Sequence, residues 1–424
     1  MRTRHLARAV CALAAPLIII SAAAVQSGTA SAATPAAAPL YVSPSGQPGH
    51  SGASCQSARF TSVQAAISAA PSGGSVIACA GSYHEQVVLT KPLALRGQGS
   101  VTISESGVTP AYSVTLPGLG PETIWAAVVI ASSNVTVSGV TITGAVGEGV
   151  LAEGLGTELT GVTIAGDQVI GNDLGSIAGA SYYLCALHAA VPGDCGEGVH
   201  FTGVANSTIE GSDISQNSGG VLLDDDTGPT RNVLVQGNLV TRNAYACGIT
   251  LPGHNPGAVN AQGQPQPSVA GVYDNVVRAN VVLDNGLTND GGGVLIANAG
   301  ASMAAYDNLV EDNYIAGNGL SGVVMHAHVI GAGQVQDLNG NVITRNVIAR
   351  DNVEGDPLDG PAGPTDPQET GILVYSGTTP VQVTIEQNVI SDNAIGIWLS
   401  KIVTAAGLPA NTFSRVTTPV SASN

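Results

Sequence analysis

RNVLVQGNLVTRNAYACGITLPGH, residues 231–254, holds three short runs rich in β-branched residues: Val233-Leu234-Val235, Leu239-Val240 and Gly248-Ile249-Thr250-Leu251. Asn238 and Asn243 break them, so the chain bends twice between strands, and each run is too short for a helix. The same frame returns at residues 208–226, 275–298, 308–328, 341–375 and 383–400. Its first Asn recurs as Asn238, Asn280, Asn313, Asn346 and Asn388, with Ser212 in the earliest copy. A second follows as Asn217, Asn243, Asn285, Asn318, Asn352 and Asn393. The offset between the two is five residues in five copies and six in one, while successive second Asn residues lie 26, 42, 33, 34 and 41 residues apart. A rigid turn that admits insertions elsewhere is how a stacked repeat behaves.

Stacking places like residues above one another, and an Asn amide both donates and accepts, so the columns predict an internal Asn ladder. A leucine-rich repeat also carries a recurrent Asn, but it needs Leu at fixed spacing and one strand per repeat. The β-branched segments here favour an all-β fold, a three-stranded parallel β-helix.

At the start of the chain, Arg2, Arg4 and Arg8 precede an apolar run ending near Ala24, and Ala30-Ser31-Ala32 offers a small-residue cleavage point. Residues 1–32 read as a secretory signal peptide, with an exported, soluble protein behind it. Loss of those three Arg leaves 10 Lys+Arg against 30 Asp+Glu, a net charge of −20. Such an acidic surface argues against nucleic acid or a membrane as partner. The only lysines are Lys91 and Lys401, so a polyanionic substrate would have to be met by arginines or through a bound cation.

Residues 33–57 are rich in Ala, Pro, Ser and Gly and read as a flexible entry to one β-helix domain at 58–424. Thr61-Ser62-Val63-Gln64 opens a short amphipathic helix that Pro71 stops, placed to cover the open end of the first coil. Nearest-neighbour pairing in an oxidising compartment joins Cys55 to Cys79 and Cys185 to Cys195, leaving Cys247 over as a buried thiol.

FTSVQAAISAAPSGGSVIACAGSYHEQVVLTKPLALRGQG, residues 60–99, resembles the opening of pectin-lyase-like right-handed parallel β-helix proteins. The Asn-bearing coils that follow resemble secreted bacterial β-helix repeat proteins. The resemblance covers residues 42–400. It implies the fold and a substrate groove, but not one reaction, because this fold hosts lyases, hydrolases, esterases, epimerases and binding proteins. The Asn-Thr-Asp, Gly-His-Gly and Arg-Ile-Lys signatures of polygalacturonases, the catalytic motifs of pectinesterases and the Arg-centred motif of pectate lyases are all missing.

The Gly-led strands starting at Gly149, Gly198, Gly220, Gly248, Gly293, Gly322, Gly371 and Gly396 align with apolar first and third residues after Gly. Period-2 alternation therefore sends the second and fourth outward. The outward column holds His200, Thr250 and Trp398, with Glu153, Asp224, His326 and Tyr375 at the strand ends. By resemblance, this sheet lines the groove. Three long insertions fall beside it, at 167–197, 252–273 and 351–370; the first carries Tyr182, Tyr183 and His188. Two readings of these loops stand: loops clustered on one side of a regular scaffold commonly build a site, or they are tolerated surface insertions.

Asp224-Asp225-Asp226 is the densest charge in the mature chain, and two readings stand: a hard cation site suited to Ca²⁺, or a solvated acidic turn. His254, His326 and His328 follow groove strands, which suits acid–base work ahead of transition-metal binding. Glu148 and Glu197 share a Gly-Glu-Gly-Val setting, as a coupled pair or as two unrelated carboxylates.

Two function classes follow. One is a secreted, monomeric enzyme acting on extracellular polysaccharide, with β-elimination on a uronate polymer ahead of hydrolysis. The other is a non-catalytic glycan- or metal-binding solenoid. For the enzyme, His326 and Tyr375 are the expected base and acid, with His328, His254 and Asp225 as further catalytic candidates. Asn298, His200, Trp398, Tyr182 and Arg242 are the expected substrate contacts.

Overall fold

At the Asn columns the chain bends through a residue with left-handed backbone followed directly by a ladder residue. Ala279 (φ 54°), Asp312 (φ 55°), Arg345 (φ 55°) and Gln387 (φ 58°) precede Asn280, Asn313, Asn346 and Asn388. This conformation costs a non-glycine residue about 1–2 kcal/mol, and the asparagine that follows offsets it. Asn238 donates from its backbone and side-chain amides to Asn280 Oδ1, at 3.0 Å each, and from its side chain to Ile209 O in the preceding coil, also at 3.0 Å. Each ladder amide thus ties together the coils on both sides of it.

The computed structural model describes residues 37–116, 120–173, 196–255, 262, 269–288, 291–298, 300–327, 335–352, 370–377 and 379–422. The expected signal peptide and the Cys185–Cys195 pair lie outside them. Among the described residues the fold is a parallel β-helix. Thr230–Gln236, Leu239–Thr241 and Ile249–Gly253 form one coil, and they pair in parallel with Val204–Glu210, Asp213–Ser215 and Gly219–Asp224 of the coil before. One strand per coil, from Val87–Leu89 to Thr418–Ala422, enters an eleven-stranded parallel sheet.

The two expected ladders are present, and a third runs through Asn275, Asn308 and Asn341 at the head of each frame. One rung differs from the expectation. Asp351, not Asn352, accepts from the backbone and side-chain amides of Asn318, which restores the five-residue offset from Asn346. Residues 401–422 add a further coil, with Asn411 accepting from Asn388 at 3.0 Å. Its strand Thr418–Ala422 carries Pro419, a residue suited to a sheet edge.

The inward column is as the alternation requires: Val150, Ala152, Val199, Phe201, Val221, Leu223, Ile249 and Leu251 belong to one continuous core. At the first coil, helix Val63–Ala69 closes that core with buried Val63, Ala66 and Ile67. Ser62 caps it, and the Glu85 carboxylate accepts from Val63 N at 2.7 Å and Gln64 N at 3.0 Å, where the helix dipole favours an anion. The entry segment is more ordered than its composition suggests. Leu40–Val42 pairs with the Gly74–His84 strand because Val42 fills the core, and the expected Cys55–Cys79 disulfide forms.

Candidate functional site

Parallel register stacks the Gly-led strands so that equivalent positions lie about 4.8 Å apart along the helix axis. Val150 pairs with Val199, which sets Glu148 beside Glu197, while Glu153, Thr202 and Asp224 form one row across three strands. Pairing His200 with Leu151 and Leu222 aims the imidazole outward between these carboxylates. Its Nδ1 lies 3.1 Å from Glu148 Oε1 and its Nε2 2.9 Å from Asp224 Oδ2. All three side chains are buried.

His254 joins from the next coil, its Nδ1 3.6 Å from Asp224 Oδ2 and 3.7 Å from Asp226 Oδ1. Asp225 positions it. The Asp225 carboxylate accepts from the backbone N–H groups of His254 (2.7 Å), Asn255 (2.9 Å) and Gly271 (2.7 Å), clamping both ends of the insertion after the Ile249–Gly253 strand. Asp225, expected as a catalytic and metal residue, thus has both carboxylate oxygens engaged by backbone amides.

The electrostatics follow from burial opposed by pairing. Burial disfavours charge on His200, but Asp224 and Glu148 outweigh it and hold the imidazole well above its ordinary pKa. For Asp224, burial acts upward, yet His200 and then His254 keep it well below the usual carboxylate range. His254 is pushed up to about 9 by Asp224, Asp226 and Asp225 against its own burial. Glu153 behaves differently: burial lifts it to about 7, only partly opposed by a hydrogen bond from Tyr112 and by the charge of His200. Two carboxylates of one row are thereby driven in opposite directions.

Tyr112 was not anticipated. It precedes a hairpin, Ser113–Leu116 with Gly120–Thr123, that is the only antiparallel pairing among the described residues. Val114 and Ile124 pack with Leu151 and Val129 in an apolar cluster separate from the continuous core. The stretch carries no strand period long enough to be read from sequence.

Among the described residues, two groups of side chains have ligand atoms within 4.8 Å of one another, close enough to hold a metal ion: Glu148, Glu197 and His200, and Asp224, Asp226 and His254. With Asp225 engaged by backbone, the expected Asp224-Asp225-Asp226 set loses its middle member and an imidazole takes its place. That donor set does not fit Ca²⁺, which takes oxygen ligands.

The other expected residues lie elsewhere. His326 and Tyr375 are register partners on adjacent strands, as predicted, but lie two and three strands beyond the Ile249–Gly253 strand that His254 follows. Trp398, expected to face substrate, is 8% exposed within an outer apolar cluster of Leu320, Val324 and Leu373, against which Tyr375 packs. Asn298 is buried and donates to Asp337 O at 3.1 Å. Arg242 sits exposed in a left-handed turn (φ 54°) just before Asn243, its amide donating to Leu283 O. Tyr182 and His328 lie outside the described residues.

The family described as "Right handed beta helix region" matches residues 125–321, and "Protein of unknown function (DUF1565)" matches residues 250–412. No curated protein matches the sequence. Among solved structures, the chain is similar to the Dettilon tailspike protein (TM-score 0.51, 16% identity), covering 85% of this chain and 64% of that one. It is similar also to PfbA, a surface adhesin of Streptococcus pneumoniae (TM-score 0.54, 13% identity), covering 85% of this chain and 88% of that one. The chain thus spans less than two thirds of the tailspike, and likenesses at these identities concern the fold.

Proposed function

Because the chain is a right-handed parallel β-helix protein, we propose that it acts on polysaccharides, hydrolysing the glycosidic bond of a neutral glycan laid along the eleven-stranded sheet. The observation that carries this reading is the row Glu153–Thr202–Asp224. Its two carboxylates stand two strand spacings apart, about 10 Å at the backbone, near the roughly 6.5–9.5 Å that inverting hydrolysis requires between acid and base. Glu153, raised to about 7, is the proton donor to the leaving oxygen. Asp224 is the base that accepts the proton of the attacking water, which His254 and Asp226 help to order, with His200 and Glu148 fixing the Asp224 carboxylate.

A neutral substrate is favoured over a uronate. The charges acting on His254 come from carboxylates, and the insertions at 167–197, 252–273 and 351–370 contain no Lys or Arg to receive an anionic polymer. A leader-like N-terminus and the Cys55–Cys79 disulfide support action outside the cytoplasm. β-Elimination remains a second reading on one observation, the His326–Tyr375 register pair, which could act as base and acid. Incubation with a panel of neutral and uronate glycans separates the two: new reducing ends without the unsaturated-uronate absorbance support hydrolysis, and that absorbance supports elimination. Glycan binding without turnover would leave a non-catalytic solenoid.

A further inference from the structure

We propose that Asp224, Asp226 and His254 form a binding site for one divalent transition-metal ion of the zinc class. Their ligand atoms lie within 4.8 Å of one another, with His254 Nδ1 at 3.6 Å from Asp224 Oδ2 and 3.7 Å from Asp226 Oδ1. An ion with bonds of about 2.1 Å separates its ligands by roughly 3.0 Å at right angles and about 3.4 Å in a tetrahedron, so small adjustments bring all three into one sphere. One imidazole and two carboxylates match the mixed nitrogen and oxygen preference of Zn²⁺ or Mn²⁺, and not the oxygen-only preference of Ca²⁺.

The surroundings orient the ligands as outer-shell groups do around protein metal centres. Asp224 Oδ2 faces His200 Nε2 at 2.9 Å, and the far nitrogen of His200 faces Glu148 at 3.1 Å. Asp226 donates its backbone N–H to Asp224 Oδ1 at 3.2 Å, fixing the second ligand relative to the first. Asp225 holds the backbone of His254. Glu148, Glu197 and His200 are the competing group, but both His200 nitrogens already face carboxylates at hydrogen-bond distance. The Asp224 group reaches solvent through His254, whose side chain is 13% exposed, which leaves a way in for the ion and for a water ligand.

This deepens the hydrolytic reading by placing the ion on the water-activating side of the row, but its test reads binding alone. The full chain, stripped with chelator, is titrated by calorimetry with Zn²⁺, Mn²⁺ and Ca²⁺ separately, with metal content measured after dialysis. The expected result is one equivalent of Zn²⁺ or Mn²⁺ per chain, bound at least 100-fold more tightly than Ca²⁺. Asp226→Asn and His254→Gln should each weaken it at least 30-fold while retaining the wild-type melting curve in chelator. Should either variant unfold, His254→Asp serves instead, and it should shift preference toward Ca²⁺. Absence of stoichiometric binding, or unchanged affinity in Asp226→Asn and His254→Gln, overturns the site. Loss of affinity in Glu197→Gln alone would move the ion to the other group and also overturn it. Metal binding without glycan turnover would reject the hydrolytic reading and keep the site, and hydrolysis by a chain that binds no Zn²⁺ or Mn²⁺ would keep the reading and overturn the site.

Discussion

Asp351 Oδ1 accepts from the backbone amide of Asn318 at 3.0 Å and from its side-chain amide at 2.8 Å, the same pair of bonds that Asn318 Oδ1 accepts from Asn285. An aspartate thus occupies an asparagine rung. Asp167 does likewise, accepting from Val140 N at 2.9 Å. Burial lifts both carboxyls to about 7 against the hydrogen bonds they accept. Each carboxyl therefore keeps its proton in the folded chain well above the ordinary carboxylate range.

A pH prediction follows. Both folded-state pKa values are raised above the ordinary aspartate value of 3.8, so their contribution to stability is fully present below about pH 4 and is lost as pH rises through about 7. The melting temperature should be higher at pH 5 than at pH 8. Asp351→Asn should stabilise the protein at pH 8, by on the order of 2–4 kcal/mol, and change little at pH 4. An unaltered pH profile in that variant would show that the Asp351 carboxyl is ionised without penalty.

The ladder itself is tested at Asn313, which accepts from Asn280 N and Nδ2 and donates to Asn346 Oδ1 and Val277 O. Asn313→Leu leaves buried polar groups of neighbouring coils unpaired, and should destabilise by at least roughly 1–3 kcal/mol. Denaturant unfolding checks it. A midpoint equal to wild type would mean that strand pairing alone holds the coils.

These two cases show what was legible in the sequence. The ladder could be read because a left-handed residue followed by an amide tolerates only one spacing, and the six-residue offset assigned to Asn352 was the sign that Asp351 belonged in the rung. The outward direction of His200 and Asp224 could be read from alternation along their strands. The role of Asp225 could not: it follows the strand end, and its direction is set by backbone amides of an insertion 29 to 46 residues away. The partnership of Glu153 with Tyr112 was hidden for the same reason, since a hairpin outside the repeat supplies it. Trp398 sits where alternation puts it, but its neighbours Leu373 and Val324 are also outward and apolar, and together they form a packed cluster that the strand pattern alone did not reveal.

His200 offers a further test because it separates buried carboxylates. His200→Phe fits an apolar ring between Glu148 and Asp224 but removes the cationic partner, and should cost about 3–5 kcal/mol at pH 7. Thermal unfolding of the variant should recover in part at pH 4, where the carboxylates can take up protons. An equally stable variant at pH 7 would contradict the charge pairing.

At the capped end, Glu85→Ala should remove the anion that receives Val63 N and Gln64 N, destabilising helix Val63–Ala69 by on the order of 1 kcal/mol. Amide exchange should report this as faster exchange at Val63 and Gln64, with the distant Asn313 coil unchanged. Equal protection in both proteins would show that the cap rests on Ser62 alone.

The account turns on the Glu153–Asp224 row, and the measurement that tests it most directly is NMR of the first product released from a neutral glycan by the wild type, Glu153→Gln and Asp224→Asn. The account predicts an anomeric configuration opposite to that of the substrate, and turnover lowered at least 100-fold in each variant with the fold and glycan binding retained. A product of retained configuration, an unsaturated uronate, or near-normal turnover in Glu153→Gln would contradict it.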